Sequence, residues 1–238
     1  MTKIKLIVAV LLFSMTLLIG CGNSNTQVDT EQEIIEEVAE AEEEIIKVDR
    51  NDPFLIFVNK ENPLPDGFIP ENLASIDGKL SSNQGISVDK TALEKYLRMR
   101  EDALEEGAQI IICSAYRSYD LQSIIYNRYL STHGEEWTKA HSAYPGTSEH
   151  QTGLAMDITS AQMGYGLEKS FENTKEGIWL KENCARYGFI IRYPDGKEEI
   201  TGYSYEPWHI RYIGEEYAKI IMDEEITLEE FFNEVSEE

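Results

Sequence analysis

The sequence predicts an α+β fold. Two observations lead there. Strand-like and helix-like segments are mixed without the regular βαβ rhythm of a parallel sheet, and no internal repeat is present. At 42% hydrophobic and 10% aromatic, the 238 residues can also bury a real core.

Each element follows from local chemistry. Phe54 to Val58, FLIFV, reads as a short buried strand, and residues 59–85, rich in Pro, Asn, Asp and Gly, as loop. Asp89 is an N-cap for a helix to about Glu106. Its stripe is Leu93, Tyr96, Leu97, Arg100, Ala103 and Leu104, and Gly107 is its stop. Ile110 to Cys113 reads as a buried strand, and Ser118 caps a helix through Leu130. Residues 153–158 form a strand; residues 172–187 form a helix ended by Gly188 and followed by the strand FIIRY. Trp208 to Ile213 is a further strand. Two helices close the chain, the last opened by the capping box TLEE at Thr227 to Glu230.

Ahead of this globular part the composition changes twice. Lys3 and Lys5 precede an apolar run from Leu6 to Gly20, too short for a bilayer span of about 20 residues and suited to a secretory signal. Residues 22–50 then carry ten acidic side chains against Lys47 and Arg50, with no aromatic residue and no proline. Self-repulsion should keep them a solvated, partly helical tether. The expected organisation is therefore a signal segment over 1–21, an acidic tether over 22–52 and a globular domain over 53–238. The formal net charge of −23 argues against nucleic acid as a partner, because phosphates attract basic surfaces. Of three cysteines, Cys113 and Cys184 lack the spacing of a zinc knuckle or redox pair and read as buried thiols.

The candidate chemistry lies in two stretches. In GLAMDI, period-two alternation puts Leu154, Met156 and Ile158 on one face and Gly153, Ala155 and Asp157 on the other. A carboxylate among minimal side chains leaves space for a metal or substrate. A hydrogen-bonded aspartate at a strand end explains it equally well. In EPWHIRYIG, His209 and Arg211 share one face, where an inward histidine is either a packed core residue or a ligand. Taken together, His150, Asp157 and His209 offer two imidazoles and a carboxylate, a set zinc accepts while keeping a position open. Glu206 adds a free carboxylate for proton transfer, as metal-assisted hydrolysis requires. Strict alternation would set Glu206 opposite His209, so the strand should begin only at Pro207 or Trp208, with Glu206 on a bend.

Three ordered motifs carry a resemblance. Ser148, His150, Gly153, Ala155 and Asp157 match S-x-H-x-x-G-x-A-x-D; Glu206 to His209 match E-P-W-H; and Ser114 to Gln122 resemble S-G-Y-R-S-x-x-x-Q, with Ala115 in place of Gly. Over residues 60–220 the chain resembles the VanY-like D-alanyl-D-alanine carboxypeptidases of the LAS zinc peptidases. The resemblance implies a small, mainly antiparallel sheet flanked by helices. It implies zinc on His150, Asp157 and His209, Glu206 as general base and then acid, and Arg117 as oxyanion stabiliser. It assigns Ser148, Gln122 and Ser114 to substrate. The implied substrate is a peptidoglycan stem peptide that loses its terminal D-Ala, either from D-Ala-D-Ala or, in an L,D-carboxypeptidase, from a tetrapeptide. A non-catalytic wall-binding domain of the same fold is the other class. Tyr165, Trp179 and Tyr193 are expected to wall the pocket. LIGC, Leu18 to Cys21, resembles a bacterial lipobox, which implies a lipid on Cys21 and a place on the outer face of the cytoplasmic membrane.

Overall fold

A computed structural model of the chain describes residues 47–49 and 51–237. The compact unit Asp49–Asn233 carries everything discussed below. The other unit contains strand β1 (Lys47–Val48), which pairs in parallel with β8 (Ser236–Glu237). The expected signal segment, Cys21 and most of the acidic tether lie outside the described residues.

A four-stranded sheet organises the main unit. Its strands are β4 (Ile111–Ser114), β5 (Ala155–Thr159), β6 (Phe189–Ile191) and β7 (His209–Tyr212), in the order β4-β5-β7-β6 with every pair antiparallel. The expected α+β class with a small antiparallel sheet is therefore what forms. One face is apolar: Ile112, Met156, Ile158, Ile210 and Tyr212 join the core with Tyr96 and Met99 of helix α1 (Lys90–Glu105) and Leu180 of a later helix. Each such fully buried aliphatic side chain contributes about 1.5–3 kcal/mol. The opposite face carries Ser114, Asp157, His209 and Arg211, because directly opposed residues share a face.

Several local readings hold. Asp89 caps α1 through its carboxylate, which accepts from Thr91 N and Ala92 N, and Gly107 ends it at φ +78°. Ser118 caps α2 (Tyr119–His133) by accepting from Leu121 N. The capping box is reciprocal: Glu230 N donates to Thr227 Oγ1 and Thr227 N to Glu230 Oε2.

Others differ. Phe54–Val58 is not a strand. The carbonyls of Phe54 and Ile56 accept from the Arg211 guanidinium instead of a ladder neighbour. The region expected to be loop contains β2 (Leu73–Ser75), paired antiparallel with β3 (Ser87–Asp89). The buried face of α1 is Ala92, Tyr96, Met99 and Ala103; Leu97 and Leu104 point outward. Helix α3 (Glu135–His141) was not foreseen. The long helix expected over 172–187 is interrupted: a 3₁₀ turn at Lys169–Asn173, then α4 (Lys175–Asn183) capped by Thr174, then a second 3₁₀ turn to Tyr187. The α5 turn (Glu198–Thr201), α6 (Glu215–Asp223) and α7 (Leu228–Glu234) complete the unit. Cys113 and Cys184 are free thiols; Cys184 is buried and Cys113 partly exposed.

Candidate active site

The polar face of the sheet gathers the site. Asp157 on β5 pairs across the ladder with His209 on β7 and with Ser114 on β4. A register shift between Ile112 and Ser114 brings Ser114 opposite Asp157, the kind of irregularity that re-aims side chains beside active sites. His150 arrives from a 3₁₀ turn, Glu149–Thr152, just before β5. Its Nδ1 lies 2.7 Å from the Ala115 carbonyl, which leaves Nε2 facing Asp157 Oδ2 at 3.3 Å. Gly153 follows in the left-handed region, at φ +77°. A Cβ there would come within 2.9 Å of Leu73. The small residue thus serves the turn and the packing of β2, not clearance beside Asp157.

His209 is held from both sides. Its Nδ1 lies 3.1 Å from Asp157 Oδ1 and 3.7 Å from Glu206 Oε2, and its Nε2 lies 3.3 Å from Glu149 Oε2. The bend expected at Glu206 is present. Pro207 and Trp208 form a turn closed by His209 N donating to Glu206 O, and the strand begins at His209. The Glu206 carboxylate is thereby carried to the histidine side.

The electrostatics match a site that wants a cation. Asp157 Oδ1 is buried and has no aligned hydrogen-bond donor, although His209 Nδ1 is close. Burial opposes charge on Asp157, but His150 and His209 hold its carboxyl well below the usual range. Burial and the nearby Arg117 lower His150. Burial also works against protonated His209, yet the neighbouring carboxylates of Asp157 and Glu149 push it up to about 9. Burial raises Glu206 to about 7. One ligand atom from each of His150, Asp157 and His209 lies within 4.8 Å of the others, so two imidazoles and a carboxylate oxygen converge on one point. That donor set and the unpartnered Asp157 oxygen fit zinc.

Arg117 sits beside this cluster, with Nη2 3.8 Å from Asp157 Oδ2. Its Nη1 donates to Gln122 Oε1 at 2.7 Å and its Nη2 to Ser114 Oγ at 3.3 Å. Gln122 is fully buried, and its Nε2 donates to the Ala143 carbonyl and to Ser142 Oγ. All its polar atoms are engaged. Gln122 thereby braces Arg117. Ser114 shares that duty. Ser148 is buried at the start of the turn that carries His150, and its hydroxyl makes no hydrogen bond among the described residues.

Of the expected pocket walls, Trp179 belongs to the hydrophobic core and does not reach the site. Tyr193 does: its ring lies 4.9 Å from that of His209 and 4.8 Å from Tyr203. Tyr165 is exposed and adopts φ 63°, uncommon for an aromatic residue.

Behind the site lies a buried cluster of charged residues whose pairing the sequence does not show. Glu149 is fully buried and its Oε1 accepts from Arg192 Nε at 2.7 Å and Arg211 Nη1 at 2.9 Å. Arg192 also forks onto Glu229 of α7 at 2.8 and 2.6 Å. The only sequence signal for these was charge where alternation calls for burial: Arg211 falls on the His209 face of β7.

Comparison with known proteins agrees with this geometry. The family profile for VanY, D-alanyl-D-alanine carboxypeptidase, matches residues 85–215, a span that contains the whole four-stranded sheet and every residue of the triad. A putative carboxypeptidase, YodJ of Bacillus subtilis, is 45% identical over 184 residues, 76% of this chain and 67% of its own. A D-alanyl-D-alanine carboxypeptidase of Enterococcus faecium is 32% identical over 91% of this chain and 66% of its own. The chain thus spans about two thirds of the length of these relatives. Among solved structures, the LD-carboxypeptidase LdcB is 43% identical with a TM-score of 0.73, covering 82% of this chain and 95% of its own. A variant of the D,D-pentapeptidase VanY from the VanB-type resistance cassette, in complex with Zn(II), is 34% identical with a TM-score of 0.66, covering 76% and 100%. That structure holds Zn(II), the metal that the donor set of His150, Asp157 and His209 fits here. The chain belongs to the VanY family of D-alanyl-D-alanine carboxypeptidases.

Proposed function

We propose that the chain hydrolyses the terminal peptide bond of peptidoglycan stem peptides and releases D-Ala. The observation that carries the reading is the bend at Pro207, which sets the Glu206 carboxylate 3.7 Å from His209 beside the ligand triad. Zinc, when bound by His150, Asp157 and His209, supplies Lewis acidity toward the scissile carbonyl and lowers the pKa of water. Glu206 takes one proton from the attacking water and returns it to the amine of the departing D-Ala, so the carboxylate is regenerated. Burial already raises its proton affinity toward neutrality, which suits both steps. Arg117, fixed by Gln122 and Ser114, offers a guanidinium to the developing oxyanion. Ser148 has a hydroxyl free to meet the substrate backbone.

D,D-cleavage of D-Ala-D-Ala is favoured by the family match and by the enterococcal relative that carries that name. A second reading, L,D-cleavage of tetrapeptide stems, is favoured by the 43% identity to an LD-carboxypeptidase. Digestion of purified pentapeptide and tetrapeptide muropeptides, read by mass spectrometry, separates them. Conversion of penta- to tetrapeptide supports D,D activity, and conversion of tetra- to tripeptide supports L,D activity. No product from either rejects both.

The same reading places the enzyme on the outer face of the cytoplasmic membrane. It is supported by Lys3 and Lys5, the apolar run and LIGC ending at Cys21. Stem peptides lie just outside that surface, and the acidic tether would hold the domain off it. A Cys21→Ala variant should leave the membrane fraction; unchanged partition would reject lipid anchoring.

A further inference from the structure

Glu149 lies next to a ligand in sequence, and its side chain turns away from the metal point. It is buried without solvent contact on the far side of His209. Its two oxygens divide the work. Oε2 faces His209 Nε2, and Oε1 accepts from both Arg192 and Arg211. A carboxylate can only accept, so a hydrogen on His209 must sit on Nε2 for that contact to exist. Nδ1 is turned to the carboxylates of Asp157 and Glu206, which keep a hydrogen on it as well in the metal-free protein; a metal would displace that hydrogen and leave Nε2–H with Glu149. Choice of ligand nitrogen is set by the bond the other nitrogen makes.

We propose that Glu149 is a positioning residue of the metal site: it fixes the tautomer and ring orientation of His209, with its own carboxylate clamped by Arg192 and Arg211. This rests on the zinc reading above. The clamp is anchored outside the stretch matched by the family profile. Arg211 Nη2 donates to the Phe54 and Ile56 carbonyls, and Arg192 forks onto Glu229. Residues before 85 and after 215 thus complete the support of a ligand inside that span.

The test uses the full domain and zinc alone. In zinc-loaded wild type, ¹⁵N NMR of the histidine side chains should show His209 keeping its hydrogen on Nε2 with Nδ1 on the metal; a hydrogen on Nδ1 with Nε2 on the metal overturns the proposal. Zinc affinity is then measured by chelator competition for wild type, Glu149→Gln and Glu229→Gln. Glu229→Gln removes one charge from the same buried cluster without touching His209, so it reports structural damage. Glu149→Gln is expected to weaken zinc about 10–100-fold, as loss of such a support does elsewhere, and Glu229→Gln less than about threefold. Equal losses in the two variants, or unchanged affinity in Glu149→Gln, overturn the proposal. Wild type that binds no zinc rejects the zinc reading itself, a result distinct from either. If Glu149→Gln does not fold, the tautomer measurement on wild type still decides.

Discussion

Glu206 owes its chemistry to where a turn leaves it. A strand running through Pro207 would have put it on the Trp208 side; the turn puts it beside His209, in a place buried enough to raise its carboxyl to about 7. Two outcomes follow for this residue. Glu206→Gln keeps the shape, removes the base and should lower kcat by about 10²–10⁴-fold, with bound zinc unchanged by metal analysis. The second concerns stability. The folded value, about 7, lies above the ordinary 4.5, so the fold favours the neutral form. The stability this group contributes is fully present below about pH 4.5 and is lost as pH rises through about 7. In zinc-free protein at pH 8, Glu206→Gln should therefore melt above wild type by at least about 2 °C, and the gap should close toward pH 4.5. A Gln variant that melts lower at pH 8 would show that burial does not strain this carboxylate. Arg117 is the other residue set by its neighbours: Gln122 and Ser114 hold its fork. Arg117→Lys keeps the charge but not the planar geometry, and should reduce kcat by about 10²-fold or more, measured as D-Ala release at saturating substrate.

At the scale of elements, what could be read from sequence was what local chemistry decides. Asp89, Ser118 and the Thr227–Glu230 box mark helix starts because a side-chain acceptor satisfies free backbone N–H groups within three residues. The alternation in β5 correctly separated Leu154, Met156 and Ile158 from Asp157, since that pattern depends only on the pleat. What could not be read depends on distant partners. Phe54–Val58 looks like a strand, but two of its carbonyls accept from Arg211, more than 150 positions away. Leu97 and Leu104 fit an apolar stripe, and the chain still leaves them exposed, because the contact surface is met by Met99 and Ala92. Gly153 looked like clearance for a metal; its neighbour is Leu73 of a hairpin that sequence did not reveal. Gly153→Ala forces both a left-handed alanine and a contact with Leu73, and should destabilise the domain by about 1–3 kcal/mol, read as the denaturant midpoint at unchanged m-value.

At the scale of the whole molecule, the sheet sorts chemistry by face. Apolar side chains pack beneath it, and above it the triad, Arg117 and the buried Glu149–Arg192–Arg211 cluster share the polar side. The ligands themselves were legible because two spaced motifs carry them. Glu149 was not, because its partners come from β7 and from the segment just after β6, and only the folded sheet brings them together. Zinc bound by His150, Asp157 and His209 would join three chain segments, so it should stabilise the fold that places them. At 100 times its Kd it would contribute about 2.7 kcal/mol, and chelation should lower Tm by about 5–10 °C. An unchanged Tm would mean that the triad holds no metal in the folded enzyme. The most direct test of the account is release of D-Ala from stem-peptide muropeptides by chelated wild-type protein as zinc is added back. The account predicts activity that is absent after chelation, returns in proportion to zinc up to one ion per chain, and does not return in Glu206→Gln carrying the same zinc. D-Ala release that persists without metal, or that zinc restores equally to Glu206→Gln, would contradict it.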